Sequence, residues 1–177
     1  MTHAVPQRAI EDFGIALPGW VMRLVVAVAA AGVVGALAVD GAPPSVLVVV
    51  ALIGASGVLS PGSAAPAALC GVAAIVSTVY AGGGGVLRPT VFALVFLLHL
   101  AHASSAIAAV VPRGARLHMA ALRRPLRRFV LIQAAVLALA GLAAALPAGR
   151  NPVQLEVLAT LGIAGLAALA IALLRRR

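Results

Sequence analysis

The sequence predicts an all-α fold, a polytopic transmembrane helix bundle of six segments, and three observations support this prediction. Of the 177 residues, 63% are hydrophobic and 10% are charged, and the mean hydropathy is +1.15. A soluble domain of this length does not need so much apolar surface. The prolines fall between the apolar runs. The basic side chains other than histidine are all arginines, and they gather at a few places along the chain.

Prolines divide the chain into its predicted helices. Proline suits the first turn of a helix and disrupts a helix interior, because it lacks the N–H that an interior position must donate. Some prolines stand just before apolar runs, and others, such as Pro61, Pro112 and Pro147, just after them. The resulting segments, which form a single transmembrane domain over residues 1–177, are about 20–39, 45–60, 66–81, 89–111, 125–146 and 152–174.

The lengths of these segments decide which of them can span a bilayer. A helix rises about 1.5 Å per residue and the hydrocarbon core is about 30 Å thick, so a span needs about 20 residues. Segments 45–60 and 66–81 are shorter. They either cross a thinned bilayer or form a hairpin that dips into it, and both arrangements return the chain to the same side. Residues 36–38 resemble a signal-peptidase site, but this run is long for a signal peptide, so we expect an uncleaved first span.

The arginines predict how the chain is threaded. Basic residues accumulate in cytoplasmic loops. With six spans and the N-terminus inside, only Arg88 and Arg150 lie outside, and the other arginines lie in the cytoplasm. We therefore expect both termini in the cytoplasm of a bacterial plasma membrane. Asp40 and Glu156 are expected at the outer headgroups, as solvated charges.

The most basic part of the chain is the connection 112–128. We expect it to lie at the inner headgroups as a loop or a short basic helix, with Leu117, Met119 and Ala121 toward the lipid. Its arginines would bind anionic lipid headgroups or dock a cytoplasmic partner; they are Arg113, Arg116, Arg123, Arg124, Arg127 and Arg128.

Composition also excludes some functions. A net charge of +9 is compatible with nucleic-acid binding, but aromatic residues make up only 3% of the chain and the arginines flank apolar runs. Stacking platforms for bases are therefore scarce, and we predict no nucleic-acid partner. Cys70 is the only cysteine, so neither an intrachain disulfide nor a cysteine cluster for a metal can form. We predict no cofactor.

His99 and His102 are the candidate polar site inside a span. They stand three residues apart on segment 89–111 and share a helix face, which Ser105 continues. An ionisable residue inside a membrane suggests a function. A metal site would need three or four ligands, and two histidines supply half of them. A proton relay would need further polar groups, and the candidates are few: Ser104, Ser105, Gln133 and Thr78. The remaining hypothesis is a neutral histidine pair packed inside the bundle.

The motif Gly54-Ala55-Ser56-Gly57 resembles the serine motif of rhomboid intramembrane proteases, and Ala101-His102 resembles their histidine segment. Membership would imply a six-helix core in which Ser56 acts as nucleophile and His102 as its base. The serine of that family begins a long helix, whereas Ser56 is predicted near the end of one.

The stretch from His99 to Gln133 is similar to small six-span integral membrane proteins of G+C-rich bacteria. Besides the two histidines and Gln133, the similarity includes Val111-Pro112-Arg113 and residues 120–125. It implies a six-span topology and no particular substrate.

These observations favour a non-enzymatic subunit or accessory protein of a membrane assembly. Its partners would be the anionic lipid bilayer and either a second copy of the chain or another membrane protein. One alternative is a small transporter component for a neutral or apolar solute, because the spans hold too few polar groups for an ion-coupled transporter. A rhomboid-like hydrolase is the third hypothesis.

Overall fold

A computed structural model describes residues 16–80 and 88–145, and for residues 142–145 it describes the backbone alone. These residues are mostly helical, which confirms the all-α class. The elements are, in chain order, strand β1 (Ala16–Pro18) and helices α1 (Trp20–Val39), α2 (Pro44–Leu59), α3 (Ala65–Tyr80) and α4 (Pro89–Val110), followed by β2 (Arg116–His118) and α5 (Met119–Ala145).

The first four helices agree with the predicted segments to within a residue or so at each end. Pro44 and Pro89 occupy first-turn positions of α2 and α4, as proline's fixed φ favours. At the end of α1, Gly41 has a φ of 88° and turns the chain toward α2. The sixth predicted segment, 152–174, lies outside the described residues.

The start of the fifth helix was predicted wrongly. Pro125 was expected to open a span at 125, but α5 begins at Met119 and contains Pro125 in its interior. The basic connection is therefore shorter than the predicted 112–128, and four of the six arginines in that range belong to α5. Leu117 was also misplaced: it lies in β2 and pairs with Leu17 of β1, so it does not sit on a lipid-facing helix.

Helices α1 to α4 run alternately up and down. Each packs against its neighbours in the order α1, α2, α3, α4 and back to α1, so α2 and α4 stand at opposite corners. One end holds the start of α1 and the end of α4, and there Gly19 N–H donates to the Ala115 carbonyl at 2.8 Å. We call this the arginine end, since Arg23, Arg113 and Arg116 lie there. The other is the Asp40 end.

The small two-stranded sheet fastens the basic connection to the arginine end. β1 and β2 are antiparallel, with Ala16 opposite His118 and Pro18 opposite Arg116. At Gly19 a Cβ atom would stand 2.3 Å from the Pro112 carbonyl oxygen, so only glycine permits this close approach. Because β2 leads directly into α5, the sheet makes α5 start at the arginine end.

The interior of α1 to α4 mixes small residues with larger apolar ones such as Val33, Leu37 and Val50, and many other large apolar side chains face outward. Buried positions include Ala29, Ala30, Gly54, Ala73 and Ala101. Large apolar side chains are exposed on every helix, among them Val28, Leu52, Ile75, Phe96 and Leu131. A water-soluble bundle exposes fewer such side chains, because large apolar residues gain most from leaving water.

Two of the described helices, α1 and α4, are long and apolar enough to cross a membrane, judged by length and composition. α2 and α3 are apolar but have only 16 residues each. By its contacts the chain divides into two compact units, residues 1–133 and 134–177. The single domain over residues 1–177 stays a prediction.

Candidate functional site

The two histidines of α4 lie in different environments. His99 is half-buried, whereas His102 is exposed. We expected both rings to face the bundle interior, and this expectation is wrong for His102. Ser105, which was placed on the same face, is only 2% exposed. The structure therefore does not gather His99, His102 and Ser105 into one site.

His99 joins α4 to α5. Its ring stacks on Phe129, with centroids 4.5 Å apart and planes inclined by 27°. Its Nδ1 lies 3.2 Å from Nε2 of Gln133. When the Gln133 amide donates to Nδ1, the neutral ring carries its proton on Nε2. Phe129 also meets Phe96 edge to face at 5.5 Å. Of the polar groups that a proton relay would need, the structure brings Gln133 into contact with His99, within an aromatic cluster.

The serines of α4 are buried behind the histidines. Ser104 donates its hydroxyl to the Leu100 carbonyl of the preceding turn. Ser105 Oγ is buried and has no partner among the described residues. A helix hydroxyl without a partner is unusual in a packed interior, since its desolvation is not compensated. Neither serine is hydrogen-bonded to a histidine, so no chain of polar groups extends from His99 along this helix.

Ser56 and His102 are not arranged as a catalytic pair. Ser56 is exposed and donates its hydroxyl to the Ile53 carbonyl of its own helix at 2.7 Å. It belongs to α2, which stands at the opposite corner from α4, the helix of His102. A serine nucleophile needs its base within hydrogen-bond reach. The geometry gives the rhomboid-like hypothesis no support.

No group of three or more histidine, cysteine, aspartate or glutamate side chains that could hold a metal ion occurs in residues 16–80 and 88–145. Cys70, the remaining candidate ligand, lies on α3. Its Sγ is 4.0 Å from the Leu98 carbonyl of α4, at the outer limit of a weak thiol hydrogen bond.

Arg23 caps the end of α2, a role that sequence reasoning missed. Its guanidinium donates to the carbonyls of Val58 and Leu59, at 3.0 and 3.3 Å. The last carbonyls of a helix have no intrahelical donor and form the negative end of the helix dipole, so a cation is favourable there. The sequence feature that could have predicted this cap is the single arginine in the first turn of α1, because the end of an antiparallel neighbouring helix lies at the same level.

Asp40 and Arg88 form an ion pair at the Asp40 end, with Oδ1 and a guanidinium nitrogen 3.2 Å apart. The Asp40 side chain is only 3% exposed and that of Arg88 is 21% exposed. The expectation that Asp40 is a solvated headgroup charge is therefore wrong: its carboxylate is covered by protein, and Oδ2 has no partner in the described structure. Glu156, predicted at the same level, lies outside the described residues.

The arginines of the basic connection and of α5 are all exposed. On α5 they share one side, while Met119, Leu122, Leu126 and Phe129 occupy the opposite side. Those four residues face α1 and α4 across an apolar crevice of about 190 Å³, which Met22 and Ile107 also line. The first half of α5 is thus amphipathic, with its arginine side turned away from the bundle.

A second, more open groove of about 400 Å³ runs between α1 and α2. It is lined by small residues, including Ala27, Ala31, Ala51 and Ala55, with Leu59 at the arginine end. Its lining is apolar throughout, so it offers shape and apolar surface but no polar group that would select a ligand.

These elements define a mostly helical protein, with Arg23 and the Asp40–Arg88 pair at opposite ends of α1 to α4 and the arginines of α5 on an exposed helix side. Comparisons with protein-family models, curated proteins and solved structures find no match for this sequence. Functional inference therefore depends on the chemistry of the chain itself.

Proposed function

We propose that this chain is an integral membrane protein of six spans that serves as a non-enzymatic subunit or accessory protein of a membrane assembly. Both termini and the basic connection lie in the cytoplasm of a bacterial plasma membrane. α1 to α4 supply the first four spans and α5 the fifth, and segment 152–174 supplies the sixth.

The observation that supports this proposal most is the large amount of apolar side chain on the outer surfaces of the helices. Large apolar residues cover the outside of α1 to α4, and their interior combines small residues with valine and leucine. In water these exposed side chains would be costly, whereas lipid tails solvate them. Between lipid-exposed helices, association depends on close backbone approach, which small interior residues allow.

The position of the charges supports the proposed sidedness. Arg23, Arg113 and Arg116 lie at the arginine end, and Asp40 and Arg88 at the other end. An excess of arginine on one side of the spans is the usual cytoplasmic signature.

A subunit role fits the chemistry better than catalysis. Several described polar contacts hold helices together: Arg23 caps α2, Asp40 pairs with Arg88, and Gln133 contacts His99. The second candidate function, a transporter component for a neutral or apolar solute, is favoured by the crevice of about 190 Å³ between α1, α4 and α5. Its apolar lining suits such a solute.

Cysteine labelling tests the topology. In a Cys70→Ala background, Val39→Cys reports on the Asp40 end and Gly114→Cys on the arginine end, since both positions are exposed. In intact spheroplasts a membrane-impermeant maleimide should label Val39→Cys, and it should label Gly114→Cys only after permeabilisation. Labelling of Gly114→Cys from outside the cell would contradict the proposed orientation.

A further inference from the structure

The arginine side of α5 extends from the arginine end to the level of the middle of α4. Phe129 stacks on His99, which stands at the middle of the 22-residue α4. Arg127 and Arg128 directly precede Phe129, and at about 1.5 Å per residue they lie within about 3 Å of its level along α5. Arg123 and Arg124 lie within about 9 Å of that level by the same rise.

This depth is inside the hydrocarbon if α4 spans the membrane, as the proposed function holds. Half of a bilayer core is about 15 Å thick, so all four arginines fall between the midplane and the inner headgroups. Snorkelling can relieve the lower pair, whose side chains are long enough to reach toward the interface. Arg127 and Arg128 remain too deep, and charged groups in spans normally face protein or a water-filled cavity rather than lipid.

The described residues supply no counter-charge for this side. Asp40 is their acidic residue, and it is buried at the opposite end of the bundle in its pair with Arg88. No hydrogen bond or ion pair within residues 16–80 and 88–145 involves Arg123, Arg124, Arg127 or Arg128. The whole chain has four acidic residues against thirteen arginines, so a second copy is also a poor source of carboxylates.

Resting on the proposed membrane function, we propose that the arginine side of α5, formed by Arg123, Arg124, Arg127 and Arg128, docks a helix of another membrane protein that presents carboxylates in the inner half of the bilayer. Two pairs of guanidinium groups, one helical turn apart, match acidic residues spaced by one turn on the partner. Guanidinium–carboxylate pairs are bidentate, and such pairing in a low-dielectric setting gives both attraction and register.

Arg113 and Arg116 differ from these four in position. They lie in the connection and in β2, past the end of α4, where lipid phosphates and water are within reach. The six arginines of residues 112–128 therefore divide into a headgroup-level pair and a deeper docking side. This division supplies a matched control, because both groups are exposed arginines close together in sequence.

A synthetic transmembrane helix of leucine and alanine tests the proposal. It carries two glutamates one turn apart, about 6 Å from its centre, a depth chosen from the rise per residue; a second peptide carries glutamines there. The full-length protein, in nanodiscs of zwitterionic lipid, bears a donor dye at Gly114→Cys in the Cys70→Ala background. Energy transfer to labelled peptide measures association.

We expect the glutamate peptide to bind the wild-type protein at least tenfold more tightly than the glutamine peptide does. A quadruple variant with glutamine at positions 123, 124, 127 and 128 should lose this preference, and Arg113→Gln with Arg116→Gln should keep it. If the quadruple variant misfolds, charge reversal decides: glutamates at the four positions should transfer the preference to a peptide with two lysines.

Three results would overturn the proposal. Equal binding of the glutamate and glutamine peptides would show that the arginine side does not select carboxylates. Loss of the preference when phosphatidylglycerol is added would assign the arginines to lipid headgroups. Self-association of the chain that disappears in the quadruple variant would assign this side to a second copy. If maleimide labelling confirms the topology in the same preparation, any of these results rejects the docking proposal alone.

Discussion

The imidazole of His99 is held by one ring stack and one hydrogen bond, both from α5. A polar contact between membrane helices stabilises the fold less than the low-dielectric surroundings would lead one to expect. The reason is that these groups also find partners when the chain is unfolded in the membrane. His99 is therefore a packing residue whose contribution can be measured against His102, which lies three residues away on the same helix and is exposed.

We predict that His99→Leu lowers stability in detergent micelles while His102→Leu changes it little. In a double-mutant cycle with Gln133→Leu, the coupling energy should be about 0.6 kcal/mol and at most about 1.7 kcal/mol. Thermal unfolding followed by circular dichroism measures the stability of each variant, from which the coupling energy is obtained. Adding a chelator or a divalent metal should not alter the result. A metal-dependent shift for His99→Leu would instead favour a ligand site.

The ion pair of Asp40 and Arg88 predicts unequal effects of removing its two members. Arg88→Ala leaves a carboxylate that is only 3% exposed without its cation, which should cost about 3–5 kcal/mol. Asp40→Ala should cost less, because the guanidinium is 21% exposed and can turn toward water. Denaturation in mixed micelles gives both values. Equal losses would mean that Asp40 is more solvated than the structure indicates.

At the scale of elements, the contact between α1 and α2 depends on a glycine. A Cβ added at Gly54 would stand 2.9 Å from the Ala30 Cβ, so the helices would have to separate. Gly35, on α1, has nothing within 4 Å of its added Cβ. The two positions thus differ in packing while sharing the low helix propensity of glycine.

We predict that Gly54→Ala is less stable than Gly35→Ala by about 1–3 kcal/mol, the usual cost of overpacking. Both variants gain about 0.8–1 kcal/mol of helix propensity, so the difference between them isolates the steric effect. Gly35→Ala should equal or exceed the wild type. Parallel thermal melts provide the comparison. If Gly54→Ala were as stable as Gly35→Ala, α1 and α2 would not pack as closely as described.

For the whole molecule, the arrangement of apolar side chains predicts how it associates with membranes. A chain held to the surface by its arginines alone would dissociate as salt screens them, since screening lengths fall to about 3 Å at 1 M salt. A chain that spans the bilayer keeps its apolar surface in lipid under any ionic strength.

We therefore predict that the protein stays in the membrane fraction after washing with 1 M salt and with alkaline carbonate, and that only detergent releases it. Immunoblotting of supernatant and pellet measures the distribution, with a known peripheral protein as the control that carbonate does remove. Release of most of the chain by either wash would contradict the proposed transmembrane arrangement.

Much of this fold was predictable because its signals are local. Proline positions and apolar runs predicted α1 to α4, since proline suits a first turn and disrupts an interior whatever surrounds it. The same rule failed at Pro125, which lies inside α5. There the β1–β2 pairing fixes residues 116–118, and the apolar side of residues 119–129 lies across a crevice from α1 and α4. Both arrangements depend on residues distant in sequence, so the helix start was not readable from Pro125 alone.

The sequence by itself determined the helical class, the bounds of the first four helices and the grouping of the arginines. Only the tertiary structure decided which polar groups meet: it separated His99 from His102, paired Asp40 with Arg88, placed Arg23 on the end of α2 and turned the α5 arginines away from the bundle. The physical reason is that backbone hydrogen bonding and proline chemistry act over a few residues, whereas contacts between side chains depend on how helices distant in sequence pack together.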